Sequence, residues 1–252
     1  MLKRERQQYI LDKVNRDGSA LTKDIKEEFG VAEDTVRKDF QELSALGKVR
    51  RIHGGVLKLE QGAVDFELRA SEQTSVKQYL AEKTLDFVKD KRVLYIDSGS
   101  TNLKLAQILP EGYSGTLITN SPAISLVLCE CKNAEVILLG GNLEKTAKVV
   151  MGSNAIGQLE EMNIECCILG VSALSPENGI TFPISEETLL KRTIVNKSKQ
   201  IIAIANKEKL GRVSAFYCAD MSVIDILVSD EINEAILEPY RQCGVQVISE
   251  TI

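Results

Sequence analysis

Val93-Leu94-Tyr95-Ile96-Asp97-Ser98-Gly99-Ser100-Thr101-Asn102 reads as an apolar strand that passes through a small, hydroxyl-rich turn into a helix. Such a turn aims several backbone N–H groups and the positive end of a helix at one place, which suits phosphate or another anion. Gly99 permits close approach, and Ser98, Ser100 and Thr101 each offer a hydroxyl donor. Asp97 is the odd member, because a carboxylate repels phosphate, and it reads as an acceptor for sugar hydroxyls. Ser and Gly at a strand–helix turn also serve plain capping, so the pattern admits both readings.

Outward from this turn the chain alternates. Apolar strands are expected at 93–96, 115–119, 135–140, 166–171, 200–205, 224–228 and 245–248, with helices at about 101–109, 122–131, 153–162, 185–197 and 232–243. This alternation predicts an α/β domain with a mostly parallel sheet covered on both faces. Thr119-Asn120-Ser121-Pro122 reads as a strand end with a Ser N-cap and Pro at the first helical position. Leu139-Gly140-Gly141 and Leu169-Gly170 end two further strands and let backbone approach a ligand. Ligands of open α/β sheets bind beyond the carboxyl ends of strands, so these segments should converge. Lys191 and Lys209 are candidate cations for a bound anion, against the plainer reading of solvated lysines. Neither a G-x-G-x-x-G fingerprint nor a G-x-x-x-x-G-K-[ST] loop is present, and no cofactor or metal is expected.

Residues 1–57 read differently, as three short helices and a hairpin. Arg4 to about Asn15 carries Ile10, Leu11 and Val14 on one face. Thr22 can cap a second helix holding Ile25 and Phe29 and is also a candidate DNA contact at its start, and Gly30 ends it. A third helix runs from about Glu33 to Leu46, with Val36, Phe40 and Leu43 turned inward and Gly47 as its stop. Two strands then flank His53-Gly54-Gly55. With the apolar stripe inward, a step of about 100° per residue sets Asp34, Arg37, Lys38 and Gln41 on the outer face of the third helix. Arg can bridge guanine, Gln can bridge adenine and Lys can neutralise a phosphate. Thr35 can hold a phosphate or a thymine methyl, while Arg50, Arg51 and His53 form a basic wing suited to the DNA backbone. The bland alternative is an ordinary solvated face. Residues 60–75 are polar and read as an inter-domain linker or the start of a long helix, followed by a helical stripe of Val76, Leu80, Phe87 and Val88. The expected domains are thus 1–59, a linker at 60–75, and 76–252.

Charge follows the same division. The total is −5, but residues 1–57 carry 12 Lys and Arg against 10 Asp and Glu, a net +2 on an otherwise acidic chain. No apolar run approaches the roughly 20 residues needed to cross a bilayer, and the basic start has no apolar stretch behind it, so a cytoplasmic protein is expected. The six cysteines form no C-x-x-C pair and read as reduced, mostly buried thiols. An all-thiolate zinc site is the alternative. The lone histidine, His53, weakens any Ser-His-Asp or Cys-His nucleophile.

The stretch Val31-Ala32-Glu33-Asp34-Thr35-Val36-Arg37-Lys38-Asp39-Phe40, continuing through Leu43, Gly47 and Arg51 to His53-Gly54-Gly55-Val56, resembles the N-terminal signature of the DeoR family of bacterial transcription regulators. Ala32 stands where that family usually has Ser. Lys38 stands for a second Arg, keeping the charge but losing the planar fork. Phe66, Arg69, Lys77 and Ala81, then Asp97–Thr101, Thr119–Ser121, Leu139–Gly141, Gly152, Gly170, Gly179–Thr181 and Glu187 through Lys191 to Lys209 are similar, in order, to the family's sensor domain. Glu165-Cys166 and Ala205-Asn206-Lys207 depart from its pattern. The resemblance implies a winged helix-turn-helix followed by a sensor fold related to ribose-5-phosphate isomerase. It further implies a double-stranded DNA operator as one partner and a phosphorylated sugar or related metabolite as the other, with Asp97–Thr101 at the phosphate end and Lys209 at the pocket. A repressor acting as a homodimer or homotetramer is expected. Two alternatives stand beside it: a sugar-phosphate isomerase using the same pocket, and a protein-interaction adaptor with a helical head.

Overall fold

The computed structural model describes residues 3–45, 48–52, 54–58 and 66–249. The chain divides into two compact units, Met1–Gln61 and Gly62–Ile252.

The first unit contains α1 (Lys3–Asp17), β1 (Ser19–Leu21), α2 (Thr22–Phe29), α3 (Glu33–Ala45), β2 (Val49–Ile52) and β3 (Gly55–Lys58). Ile10, Val14, Ile25, Val36, Phe40, Leu43, Val49 and Val56 form its core, so the helical period read from the sequence is the one that packs. The sequence did not reveal β1, whose three residues are too few to show alternation; it pairs with β3 and turns the expected hairpin into a three-stranded sheet, β1-β3-β2. Beneath α3 lies a buried ion pair. Arg6 Nε donates to Asp39 Oδ2 at 2.5 Å, while Gln7 Nε2 donates to Asp39 Oδ1 at 3.3 Å. With both oxygens given a donor, the buried carboxylate is compensated and pins α1 to α3. Leu46, Gly47 and His53 lie outside the described residues.

The second unit begins with α4 (Phe66–Ser71), α5 (Thr74–Val88), β4 (Val93–Ile96), α6 (Ser100–Ile108), β5 (Ser114–Thr119), α7 (Pro122–Leu128) and β6 (Asn133–Leu138). It continues with β7 (Asn142–Glu144), β8 (Val149–Met151), α8 (Ser153–Glu160), β9 (Ile164–Gly170), β10 (Ala173–Ser175), β11 (Gly179–Phe182) and α9 (Ser185–Lys197). The last elements are β12 (Ser198–Ala205), a 3-10 turn Lys207–Lys209, β13 (Phe216–Ala219), a second 3-10 turn Met221–Val223, β14 (Ile226–Ser229), α10 (Glu234–Gln242) and β15 (Gln246–Ile248).

Seven strands form one parallel sheet in the order β15-β14-β12-β9-β4-β5-β6. Alternation across its strands divides the core in two. Leu94, Ile96, Cys166 and Ile168 pack with α5, α6 and α7, whereas Tyr95, Cys167, Leu169 and Ala203 pack with α8, α9 and α10. The adjacency of Cys166 and Cys167 follows from this: each thiol is a small apolar filler on one face of a central strand.

From β4 the chain builds the sheet outward through β5 to β6. With β9 it returns to the other side of β4 and builds outward again through β12, β14 and β15. The strand order therefore reverses between β4 and β9, and a crevice opens beyond their carboxyl ends.

One feature adds to the expected parallel sheet, and two expectations need correction. Short antiparallel pieces flank the main sheet: the hairpin β7–β8 and the sheet β10-β11-β13. Strands of three or four residues are too short to show a period in the sequence. Residues 66–75, read as a linker or the start of one long helix, hold the separate short helix α4 and the first residues of α5. Phe66 is buried, and its N–H donates to Thr146 O at 2.9 Å. The six residues of α4 are too few to show a helical period in the sequence. Residues 60–65 lie outside the described residues. Finally, Thr22 does not cap α2. It is the buried first residue of that helix, with no side-chain capping bond, and its N–H donates to Gly54 O at 2.8 Å.

Candidate anion site and nucleic-acid interface

The turn after β4 lies at the reversal of strand order. Asp97 is completely buried there, and its carboxylate gathers the site. Oδ1 accepts from Ser98 N at 2.9 Å, and Oδ2 accepts from Gly170 N at 2.8 Å and from the Lys191 ammonium. Asp97 N in turn donates to Ile168 O at 3.1 Å, so the ends of β4 and β9 are laced together. Only glycine fits at 170, because a Cβ there would stand 2.4 Å from Ser98 O.

This arrangement revises two roles expected from the sequence. Asp97 is engaged at both oxygens and sealed from solvent, so it positions the turn rather than greeting sugar hydroxyls. Lys191 is equally buried. It is held by Asp97 and lies 3.5 Å from Glu187 Oε1, so its charge is balanced internally. Burial opposes the charge on Lys191, but Asp97 and Glu187 outweigh that and raise its pKa. The sequence could not show this, because the two partners lie 94 residues apart.

The turn itself remains accessible. Ser98, Gly99 and Thr101 are half-buried, and a Cβ at Gly99, where φ is +138°, would meet nothing within 4 Å. The hydroxyls of Ser98, Ser100 and Thr101 have no partner among the described residues. The first N–H groups of α6 have no intrahelical acceptor, so the cradle combines unmet amides, free hydroxyls and the positive end of a helix. Behind it Asn120 is completely buried. Its Oδ1 accepts from Ser98 N at 3.0 Å, while its Nδ2 is buried without a partner. Thr119 is also buried, its Oγ1 accepting from Ser121 N at 3.1 Å, and Ser121 caps α7 by accepting from Ile124 N at 3.4 Å. Gly141 is turned toward the Met151 carbonyl of β8, so close packing accounts for that glycine.

Lys209 closes the set. It is half-buried, and its Nζ donates to Val171 O at 2.7 Å, next to the Gly170 carbonyl that Lys191 approaches at 3.4 Å. Burial, together with the charges of Arg69, Lys191 and Lys77, pushes its pKa down to about 8. A lysine repelled by three other cations marks a place where an anion would be stabilised. Arg69 and Lys77, which the sequence singled out only within the family pattern, are thus electrostatic members of this site. The signal for them was their position in that ordered set.

In the first unit, Asp34, Arg37, Lys38 and Gln41 are exposed together on the outer face of α3, and Thr35 is half-buried near its start. Arg37 Nη2 donates to Glu33 Oε1 at 2.6 Å, one turn back, so its guanidinium is already oriented. Arg51 is exposed on β2, opposite Val56 of β3. The side chain of Arg50 lies outside the described residues, as does His53. Thr22, buried at the start of α2, offers little surface to a phosphate. Among the described residues no three of His, Cys, Asp and Glu gather as a metal site, and no helix is long and apolar enough to cross a membrane.

Comparison with known proteins agrees with this layout. Residues 6–61 match the DeoR-like helix-turn-helix domain, and residues 72–231 match the DeoR C terminal sensor domain. The chain is 28% identical to the HTH-type transcriptional regulator GlpR of Haloferax volcanii over 251 residues, covering 98% of each. It is 29% identical to the HTH-type transcriptional repressor GlcR of Bacillus subtilis, covering 98% of this chain and 96% of that one. Among solved structures, ribose 5 phosphate isomerase A of Neisseria gonorrhoeae superposes with a TM-score of 0.40 at 17% identity, over 55% of this chain and 54% of that one. The full-length sorbitol operon regulator SorC of Klebsiella pneumoniae gives 0.39 at 11% identity, over 91% of this chain and 96% of that one. With both family domains matched in order, the chain belongs to the DeoR family of transcriptional regulators.

Proposed function

We propose that this protein is a sequence-specific DNA-binding repressor of carbohydrate-metabolism genes whose operator affinity is set by a phosphorylated sugar or related metabolite. The exposed Arg37, Lys38 and Gln41 on α3 supply base and phosphate contacts, and Arg51 follows the backbone. Two copies, as a homodimer or within a homotetramer, read half-sites one helical turn or a multiple apart. The single observation that carries the metabolite reading is the open N-terminus of α6 where the strand order reverses between β4 and β9, with the Lys209 ammonium held by Val171 O just after Gly170, whose N–H binds Asp97. A phosphate monoester matches both halves of that site, and the buried Asn120 amide offers one more donor behind it. The ligand acts by binding one arrangement of the protein more tightly than the other, which shifts DNA affinity by that difference.

Two observations favour a regulator over an isomerase on the same fold. Aldose–ketose isomerisation needs a carboxylate or other base beside the reacting carbon. The end of β9 and the residues after it read Ile168-Leu169-Gly170-Val171-Ser172-Ala173, without one, and Asp97 is fully engaged. The deciding experiment is a thermal-shift screen of the full chain over phosphorylated sugars, followed by operator binding with each hit. A hit that raises the melting temperature and changes operator affinity supports the reading. Turnover of any pentose or hexose phosphate by the purified protein would replace it with the enzyme reading.

A further inference from the structure

Between α4 and α5 stands Gln73, a non-glycine residue in the left-handed region at φ 47° and ψ 41°. L side chains other than Asn and Asp rarely settle there, so some contact must hold it. Its side-chain amide does so with both ends. Nε2 donates to Glu208 Oε1 at 2.8 Å, and Oε1 accepts from Asn206 Nδ2 at 2.7 Å. Both partners belong to the turn that carries Lys209, and Glu208 is its immediate neighbour within the 3-10 turn Lys207–Lys209. The elbow where α4 meets α5 is therefore clasped to the same turn that presents the ammonium to the crevice.

Other contacts tie this elbow to the site. α4 packs against α6, whose first turn is the anion cradle. The Lys77 ammonium of α5 donates to the carbonyls of Arg69 and Glu72, stitching the end of α4 to α5. Arg69 and Lys77 are two of the charges that repel Lys209, so an anion that relieves one relieves all three. The resting arrangement also leaves something to gain. Asn206 Oδ1 is buried without a partner, and a cavity of about 320 Å³ bounded by Gln73, Val76, Asn206, Glu208 and Asp230 gives the clasp room to shift.

We propose that the Gln73–Asn206–Glu208 clasp is the relay that converts occupancy of the β4/β9 crevice into a change in the α4–α5 elbow, where the described part of the body begins. The inference rests on the crevice being an anion site and adds its output route. Lys209 turning toward a bound anion displaces Glu208 beside it. Glu208 then releases or redirects Gln73, whose backbone conformation sets the angle between the two helices.

The test is hydrogen–deuterium exchange on the full chain, with and without inorganic phosphate, in four proteins: wild type, Gln73→Asn, Glu208→Ala and Glu208→Gln. Asn tolerates the left-handed backbone but is too short to span both partners; should it lower the melting temperature, Glu208→Ala gives the same break at an exposed position. In the wild type, phosphate is expected to slow exchange at 97–103 and to alter it at 66–77. Gln73→Asn and Glu208→Ala are expected to keep the first response and lose the second, while Glu208→Gln, which can still accept from Gln73, keeps both. An unchanged response at 66–77 in the two breaking variants overturns the relay and leaves the site standing, as does a wild type that responds only at 97–103. A wild type silent at 97–103 overturns the anion site and the relay with it.

Discussion

Asp97 is where one residue governs the most structure. Its carboxylate holds two backbone N–H groups and a buried ammonium, and among the described residues only Glu187, at 3.5 Å, also pairs with Lys191. Breaking a buried pair from one side leaves an uncompensated charge, so Asp97→Asn is expected to cost about 3–5 kcal/mol of body stability in urea unfolding. The double change Asp97→Asn with Lys191→Met should recover much of that loss; if it is as damaging as the single change, the pair is not what holds the site. Lys209 gives a second prediction, with a definite sign. Its pKa is about 8 in the free protein, and a bound phosphate monoester favours its charged form. Affinity is therefore full below pH 8 and falls by up to about tenfold per pH unit above it, until the bound-state pKa is reached. Phosphate monoesters, with a second pKa of about 6, do not titrate in that window. Calorimetry in buffers of different ionisation enthalpy should show proton uptake on binding at pH 8.5. No uptake and a flat affinity between pH 7 and 9.5 would separate Lys209 from the ligand.

At the level of elements, α3 was legible because its inward residues recur at helical spacing and leave one polar face, and the turn after β4 was legible because its composition is so biased toward Ser, Thr and Gly. What each side chain does was not legible wherever a partner is remote. Asp97 reads as a ligand contact until Gly170 and Lys191 are brought to it, and nothing in the sequence marks Asp39 as buried until Arg6 arrives from α1. Short strands such as β7, β10 and β13 stayed hidden because three or four residues carry no period. The outer face of α3 yields a paired prediction. Arg37→Ala should cost roughly 1–3 kcal/mol of operator affinity and relax base preference at one position. Lys38→Ala should weaken all sequences alike and reduce the slope of log affinity against log salt by about 1. Footprinting or fluorescence anisotropy across a salt series separates the two, and equal effects on operator and random DNA from Arg37→Ala would remove it from base recognition. Beneath that face, Asp39→Ala is expected to uncouple α1 from α3 and destabilise the head by about 3–5 kcal/mol, seen as an early loss of helical circular dichroism on heating.

Across the whole chain there are two units with separate cores, one around Phe40 and one divided by the parallel sheet. Calorimetry should resolve two transitions, and a metabolite present at about 100 times its dissociation constant should stabilise the body by about 2.7 kcal/mol while leaving the head transition in place. Stabilisation of the head alone would put the ligand in the wrong unit. The two thiols at the centre of β9 make this visible chemically. Burial lifts Cys166 to about 12 and Cys167 well beyond its ordinary value, whereas Cys129 is exposed. Thiolate is the reactive form, so an alkylating reagent meets Cys129 in the native protein and reaches the adjacent pair only when the sheet comes apart. The mass added to the peptide around residue 166 is thus a native clock for opening of the body, and a tightly held metabolite should make it run slow.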